Sequence, residues 1–99
     1  MSLNLDILRA NYRSDILAIA AKNNIDNVRV FGSVARGDAR QGGDLDLLVH
    51  PQAGCSLLKL CAMENAVSDM LGGIKVDVLS DSAIRDELAP FILRESVVL

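Results

Sequence analysis

Aromatic residues and histidine are scarce in this sequence, and no segment is continuously apolar. Only 3% of the 99 residues are aromatic, none is tryptophan and one is histidine. A core without large rings has to be built from aliphatic side chains, which suits helices packed on a sheet. No apolar run approaches the roughly 20 residues that a membrane-spanning helix needs. The first residues also lack the pattern of a signal peptide. We therefore expect no membrane segment and a cytoplasmic location.

Cysteine is also rare, with Cys55 and Cys61 as the two examples. They do not form a CxxC pair, and no group of cysteine and histidine has the spacing of a zinc site. We interpret them as reduced, partly buried thiols, with a disulfide as the alternative.

An excess of positive charge is missing as well, because the formal net charge is −3. This argues against stable binding to nucleic acid over a broad basic surface. Hydrophobic residues make up 51% of the chain, which is enough for a folded core. The length indicates one domain over residues 1–99. So much apolar sequence in a small body also favours a partner or an oligomer that covers part of its surface.

Hydrophobic periodicity and turn residues predict the order α-β-α-β-α-β-α. The predicted helices cover residues 4–23, 33–37, 56–71 and 81–99, the last one kinked at Pro90; the predicted strands cover 28–32, 44–50 and 74–80. This order favours a small α+β fold with a mixed sheet covered by helices. Strand order and direction stay open.

Acidic residues recur at alternate positions where the second strand begins. Asp44 and Asp46 share one face of that strand, because successive side chains of a strand point to opposite faces. Asp77, in the third strand, joins them if the two strands are neighbours. Like charges about 4 Å apart repel by about 4 kcal/mol at an effective dielectric near 20. Such a cluster favours Mg²⁺ or Mn²⁺, and two ions could activate an attacking oxygen and stabilise a leaving pyrophosphate.

The turn after the first strand has features that suit a phosphate ligand. Gly32 lets the backbone approach a ligand closely, and Ser33 adds a hydroxyl and opens a helical turn. Arg36 lies one turn further, where its guanidinium could reach the same phosphates. The following loop, which ends in Gly42 and Gly43, leaves an open approach to the acids.

Each of these features is weak alone, since most DxD and Gly-Ser pairs are surface positions or turns. The sequence lacks the P-loop and the dinucleotide-binding patterns. Several other reactive side chains have simpler interpretations. We assign Asp38 to the turn, Asp81 or a neighbouring serine to a helix cap, His50 to the surface, and Cys61 and Tyr12 to packing.

Taken together, the residues strongly resemble the DNA polymerase β-type nucleotidyltransferase superfamily. Gly32-Ser33, ten further residues and then Asp44-Leu45-Asp46 form a GSx₁₀DxD pattern, and "KVDVL" supplies the later acid Asp77. The length and element order are similar to the MNT-domain antitoxins, the minimal branch of this superfamily. One departure is Gly43, where many relatives have serine.

The resemblance implies specific roles for these positions. Asp44, Asp46 and Asp77 would be catalytic and would bind two Mg²⁺ ions. Gly32 and Ser33 would hold ATP. Arg36 would bind ATP with them, because it lies one helical turn further along the chain. MNT antitoxins transfer AMP to a tyrosine of a HEPN-domain toxin, usually an RNase, and thereby silence it. The alternative is a binding module that neutralises a toxin by stoichiometric contact, while RNA tailing is disfavoured by the acidic charge.

Overall fold

The computed structural model describes residues 3–38 and 44–99 of the chain. The elements, in order, are helix α1 (Leu5–Ile7), a π-helical turn (Leu8–Tyr12), helix α2 (Arg13–Lys22), strand β1 (Ile25–Phe31), helix α3 (Gly32–Arg36), strand β2 (Leu45–Pro51), helix α4 (Leu57–Met70), strand β3 (Val76–Ser80), a 3₁₀ turn (Asp81–Ala83), helix α5 (Ala89–Glu95) and strand β4 (Val97–Val98). Throughout these two ranges, no helix combines the length and apolar character that crossing a bilayer requires.

The sheet has the strand order β3-β2-β1-β4. Strand β1 runs antiparallel to both of its neighbours, whereas β2 and β3 are parallel. The parallel pair is joined through α4, which supplies the long crossover that such a connection needs. This mixed sheet with helices confirms the predicted α+β class.

The first predicted helix is interrupted but otherwise well placed. The sequence offers Asn4 or Ser2 as the cap, and the side chain of Asn4 accepts a hydrogen bond of 2.8 Å from the Ile7 N–H. The π-helical turn then separates α1 from α2. Tyr12 is partly buried against the core, which confirms its interpretation as a packing residue.

The composition of residues 23–27 predicts a turn, but strand β1 already starts at Ile25 and this segment contains a β-bulge. Ile25 already pairs with Pro51, and the register shifts between Asp26 and Arg29. Asn27 has φ of 52°, a left-handed conformation that asparagine tolerates better than most residues. Asparagine therefore marks a bulge here and not the end of the strand.

The core lies between one face of the sheet and helices α2 and α4. Val30 and Leu47 are opposite each other on β1 and β2, and both side chains are fully buried. Met63 of α4 covers the core from the helical side and is also fully buried. Leu45 and Leu47, which alternate with Asp46 along β2, both point to this core, as the alternation of side chains along a strand predicts.

The apolar residues of α4 predict a buried stripe that includes Leu57 and Cys61, and both of these positions are wrong. Leu57 is 75% exposed, and Cys61 is exposed and free. The inward face of α4 is narrower than the apolar sequence suggests, with Met63 and Val67 at its centre. Cys55 is partly buried and also free, as expected.

The predicted last helix is also wrong as a continuous element. A 3₁₀ turn and a loop precede α5, and the chain then forms β4, where Val97 pairs with Val30. The guanidinium of Arg9 donates 2.6 Å and 3.4 Å hydrogen bonds to the carbonyls of Val98 and Leu99. These contacts fix the end of the chain as a fourth strand, which suits its β-branched valines.

The outer edge of the sheet at β3 is partly covered. Glu64 of α4 accepts a 2.8 Å hydrogen bond from the Val78 N–H. A side chain thus satisfies a backbone donor that β2 does not pair, which limits pairing of this edge with other chains. The same contact fixes the position of β3 at the edge of the sheet.

Replacing Leu47 by alanine tests the position of the core. Leu47→Ala removes a fully buried side chain and should lower the free energy of unfolding by about 2–5 kcal/mol in urea denaturation. Leu58→Ala is the matched control, because Leu58 is 82% exposed and its loss should change stability by less than about 0.5 kcal/mol. Similar effects of the two substitutions would contradict the described packing.

Candidate active site

A row of three residues crosses the face of the sheet that is opposite the core. Phe31 of β1 is opposite Asp46 of β2, and Asp46 is in register with Asp77 of β3. Side chains of neighbouring strands in register project from the same face. The Leu45 N–H also donates a 2.9 Å hydrogen bond to the Lys75 carbonyl, which aligns the starts of β2 and β3. The structure therefore places Asp46 and Asp77 side by side, as the sequence predicted for neighbouring strands.

Asp44 lies just before β2, two residues from Asp46, and its side chain is exposed. It is close enough to Asp46 to act on that carboxyl electrostatically. Within residues 3–38 and 44–99, no three carboxylate, thiol or imidazole groups converge tightly enough to surround a metal ion. The donors are nevertheless those that Mg²⁺ prefers, namely carboxylate oxygens open to water.

The Gly-Ser turn lies directly against Asp46. Gly32 has φ of 75°, and a Cβ atom placed on it would be 2.2 Å from Oδ2 of Asp46. Any side chain at position 32 would collide with this carboxylate. The backbone can come this close only because residue 32 is glycine. Sequence reasoning predicted a close approach to a ligand, and the structure adds the approach to Asp46.

The pKa of Asp46 is raised above its ordinary value of 3.8. Partial burial is the largest cause, since it disfavours the charged carboxylate. The negative charges of Asp77, Asp44 and Glu95 raise this pKa further, while Lys75 opposes them. Lys75 lies 4.0 Å from Asp77, in an exposed ion pair that contributes little stability. The site therefore carries uncompensated negative charge around Asp46, which a cation would relieve.

Ser33 and Arg36 lie on α3, the single helical turn that follows β1. Gly37 ends this turn with φ of 82°, as predicted from the sequence. Nε of Arg36 donates a 3.2 Å hydrogen bond to Asp38, and its Nη1 pairs with Glu95 of α5. These two contacts raise the pKa of Arg36 above its ordinary value. The guanidinium that the sequence assigns to a nucleotide is thus already held by two carboxylates.

Glu95 is the residue that the sequence did not identify. It lies 59 positions from Arg36 along the chain and meets it because α5 packs near α3. Its negative charge also contributes to the raised pKa of Asp46. An acid at the end of an amphipathic helix gives no local signal of this role, because its partner depends on the tertiary fold.

The simpler interpretations of the remaining residues mostly agree with the structure. His50 is exposed, and its Nδ1 lies 3.0 Å from Asp81. The expected cap of the last helix is wrong: Ser80 caps the 3₁₀ turn, where its side chain accepts a 3.3 Å hydrogen bond from the Ser82 N–H, and α5 begins at Ala89 without a side-chain cap. Asp38 does stabilise the turn, since its N–H donates to the Ser33 carbonyl at 3.0 Å. Gly42 and Gly43 lie outside the described residues.

Comparisons of sequence identify related proteins. A family model described as "Polymerase beta, Nucleotidyltransferase" matches residues 14–99. A protein of Methanocaldococcus jannaschii, named as a candidate protein adenylyltransferase, is 34% identical over 77 residues, which are 78% of each chain. Protein adenylyltransferase MntA of Thermococcus cleftensis is 36% identical over 73 residues, which are 74% of this chain and 73% of that one.

Comparisons of structure agree with this. A solved structure described as a candidate minimal nucleotidyltransferase superposes with a TM-score of 0.83 and 40% identity, covering 98% of this chain and 97% of the other. A toxin-antitoxin structure with AMP-PNP has a TM-score of 0.74 and covers 88% of this chain and 71% of its own. Its identity of 15% shows the shared fold alone.

Alanine at position 32 tests the contact between the Gly-Ser turn and Asp46. Gly32→Ala and the control Gly37→Ala both place alanine at a positive φ, which costs about 1–2 kcal/mol. Nothing lies within 4 Å of a Cβ at Gly37. Gly32→Ala should therefore lower the free energy of unfolding by about 1–3 kcal/mol more than the control, or displace the Asp46 carboxylate, as measured by denaturation and NMR. Equal losses with an unmoved Asp46 would contradict the contact.

Removing the charge of Asp46 should stabilise the protein. The pKa of Asp46 is higher in the folded protein than in the unfolded chain. Ionising this carboxyl therefore costs more in the folded state, so its contribution to stability falls as the pH rises through the folded pKa. Asp46→Asn removes that cost.

The measurement is the free energy of unfolding in the absence of divalent cations. Asp46→Asn should be more stable than the wild type near pH 7, and the difference should vanish at a pH well below about 3.8, where both residues are neutral. Asp86→Asn, at an exposed turn position, is the control and should show no such gain. A loss of stability at neutral pH in Asp46→Asn would refute the electrostatic description of the site.

Proposed function

This chain belongs to the polymerase β nucleotidyltransferase family, and we propose that it is a protein adenylyltransferase that acts as an antitoxin. It transfers AMP from ATP to a hydroxyl group of a cognate HEPN-type RNase toxin, and the acceptor is a tyrosine. Adenylylation then inactivates the toxin in the cytoplasm. The names of its relatives support this proposal, since two of them are described as protein adenylyltransferases or candidates for that activity.

One observation carries the chemistry: the Gly-Ser turn lies against Asp46, and Asp46 lies in register with Asp77. A triphosphate held at the turn is then next to the carboxylates of two neighbouring strands. We assign Gly32 and Ser33 to nucleotide binding, Gly32 through its backbone and Ser33 through its hydroxyl. Arg36 belongs to the same group, because it lies on the same helical turn.

The carboxylates fit Mg²⁺ in their donor type and in the unbalanced negative charge around Asp46. Asp44, Asp46 and Asp77 would hold two ions, which would neutralise the triphosphate and stabilise the leaving pyrophosphate. Residues 14–99, to which the family model corresponds, contain this whole set, and we treat residues 1–99 as one minimal nucleotidyltransferase domain.

The reaction is a displacement at the α-phosphorus of ATP. The oxygen of the acceptor hydroxyl forms a bond to the α-phosphorus, and the bond from the α-phosphorus to the bridging oxygen of the β-phosphate breaks. Pyrophosphate leaves with that oxygen. Asp77 accepts the hydroxyl proton, because it stands at the edge strand and its side chain is about half exposed. We place the acceptor hydroxyl on a docked protein, which can reach Asp77 at this exposed edge strand.

The alternative function is neutralisation of the toxin by stoichiometric contact. It is favoured by large apolar side chains that are exposed on and around α5 and β4, namely Leu88, Phe91, Leu93 and Val98. A complex of this kind needs as many copies of this protein as of the toxin, and the inhibition reverses on dilution. Covalent transfer works at a small fraction of the toxin concentration and survives removal of this protein.

The test uses the protein encoded by the neighbouring open reading frame as the candidate toxin. After incubation with ATP, Mg²⁺ and a small fraction of this protein, intact-mass spectrometry should show the toxin heavier by one or more AMP groups. Asp44→Asn combined with Asp46→Asn should reduce the transfer by at least about a hundredfold, as expected for loss of groups that stabilise the transition state.

Asp69→Asn on the outer face of α4 is the control and should retain full activity, because its side chain is exposed and away from the row. Undiminished transfer by the double variant would refute the site assignment. Inhibition without any mass increase, requiring equal amounts of the two proteins, would favour the stoichiometric alternative.

A further inference from the structure

The short helix α3 carries the Gly-Ser turn and depends on tertiary contacts to keep its conformation. It contains five residues, and isolated helices of this length are not stable in water. Its one fully buried side chain is Val34, which packs into the core. On the opposite side the helix needs a second attachment if Gly32 and Ser33 are to keep their position beside Asp46.

The ion pair between Arg36 and Glu95 provides this second attachment. Arg36 is in the last turn of α3, and Glu95 is the last residue of α5, directly before the segment that joins β4. The side chain of Glu95 is 24% exposed, compared with 52% for Arg36, so the carboxylate is the better fixed of the two groups. A charge-assisted hydrogen bond to a fixed carboxylate orients a guanidinium more strongly than a neutral bond would.

Strand β4, which follows α5, fixes the position of Glu95 relative to the sheet. Val97 pairs with Val30 of β1, two residues before the start of α3, and the Leu99 N–H donates a 3.2 Å hydrogen bond to the Val28 carbonyl. The carboxylate that holds Arg36 and the strand that leads into α3 are therefore fixed to the same part of the sheet. The Gly-Ser turn is held between them.

We propose that Glu95 is a positioning residue for the nucleotide site and acts through Arg36 to hold α3 against the carboxylates. The role of Glu95 in nucleotide binding rests on the function proposed above, whereas its attachment of α3 does not. Glu95 also lies close enough to contribute to the raised pKa of Asp46, which supports its location beside the site. Nε and Nη1 of Arg36 carry these contacts, and neither of them uses Nη2, which could donate to a phosphate.

Amide hydrogen exchange tests the attachment without any ligand. The amides of Gly37 and Asp38 donate hydrogen bonds of 3.3 Å and 3.0 Å to the Val34 and Ser33 carbonyls, so their protection reports on the integrity of α3. Glu95→Gln keeps the shape of the side chain and removes the charge. It should accelerate exchange at both amides about three- to tenfold, as expected for weakening one charged hydrogen bond.

Glu87→Gln is the matched control, because Glu87 also pairs with an arginine, Arg85, at 3.7 Å, and both side chains are more than 70% exposed. It should leave exchange at Gly37 and Asp38 unchanged. Unchanged exchange in Glu95→Gln would overturn the proposal.

Calorimetric titration with ATP and Mg²⁺ tests the consequence for the site. Glu95→Gln should weaken ATP binding about three- to tenfold, and Arg36→Gln should weaken it further. The double variant should bind no more weakly than Arg36→Gln alone, because Glu95 acts through Arg36.

Full ATP affinity in Glu95→Gln, or tighter binding, would overturn the proposal, since Glu95 would then be neutral or a competitor for Arg36. A wild-type protein that binds no ATP would instead refute the proposed function. In that case the exchange rates alone decide whether Glu95 attaches α3.

Discussion

The close approach of the Gly32 backbone to the Asp46 carboxylate is the constraint from which the rest of the site follows. It requires glycine with φ of 75° at the end of β1, and it requires Asp46 on the neighbouring strand to be opposite Phe31. The antiparallel register of β1 and β2 supplies the second condition, and the parallel register of β2 and β3 then adds Asp77. Because of these two strand registers, a nucleotide held at the Gly-Ser turn would lie next to the carboxylates.

This arrangement is stable only because other parts of the fold offset its cost. Partial burial and the neighbouring carboxylates both raise the pKa of Asp46, so its charged form is unfavourable in the folded protein. The opposite face of β2 is apolar, with Leu45 and Leu47 buried against the helices. Glu64 fixes the edge strand through the Val78 N–H. One face of the sheet therefore provides the packing energy, and the other carries the unfavourable charge that the proposed chemistry uses.

The sequence predicted what depends on local periodicity. Alternation along a strand placed Asp44 and Asp46 on one face, and the resemblance to polymerase β-type nucleotidyltransferases is confirmed by the family match and the shared fold. It could not predict what depends on distant partners. The valines at the end were interpreted as a helix because β1, their pairing partner, lies far away in sequence. Glu95 was missed for the same reason, and Asn27 was interpreted as a turn because bulges and turns use the same residues. The roles of the individual site residues stay predictions.

The central claim is that the carboxylates beside the Gly-Ser turn bind a divalent cation, and paramagnetic NMR with Mn²⁺ tests it most directly. Substoichiometric Mn²⁺ should broaden the amide signals of Gly32, Ser33, Asp46 and Asp77 first, and excess Mg²⁺ should restore them. The exposed carboxylates elsewhere, such as Asp15 and Asp69, should be affected only at much higher concentration. Uniform broadening at all exposed acids, or none at Asp46 and Asp77, would contradict the account.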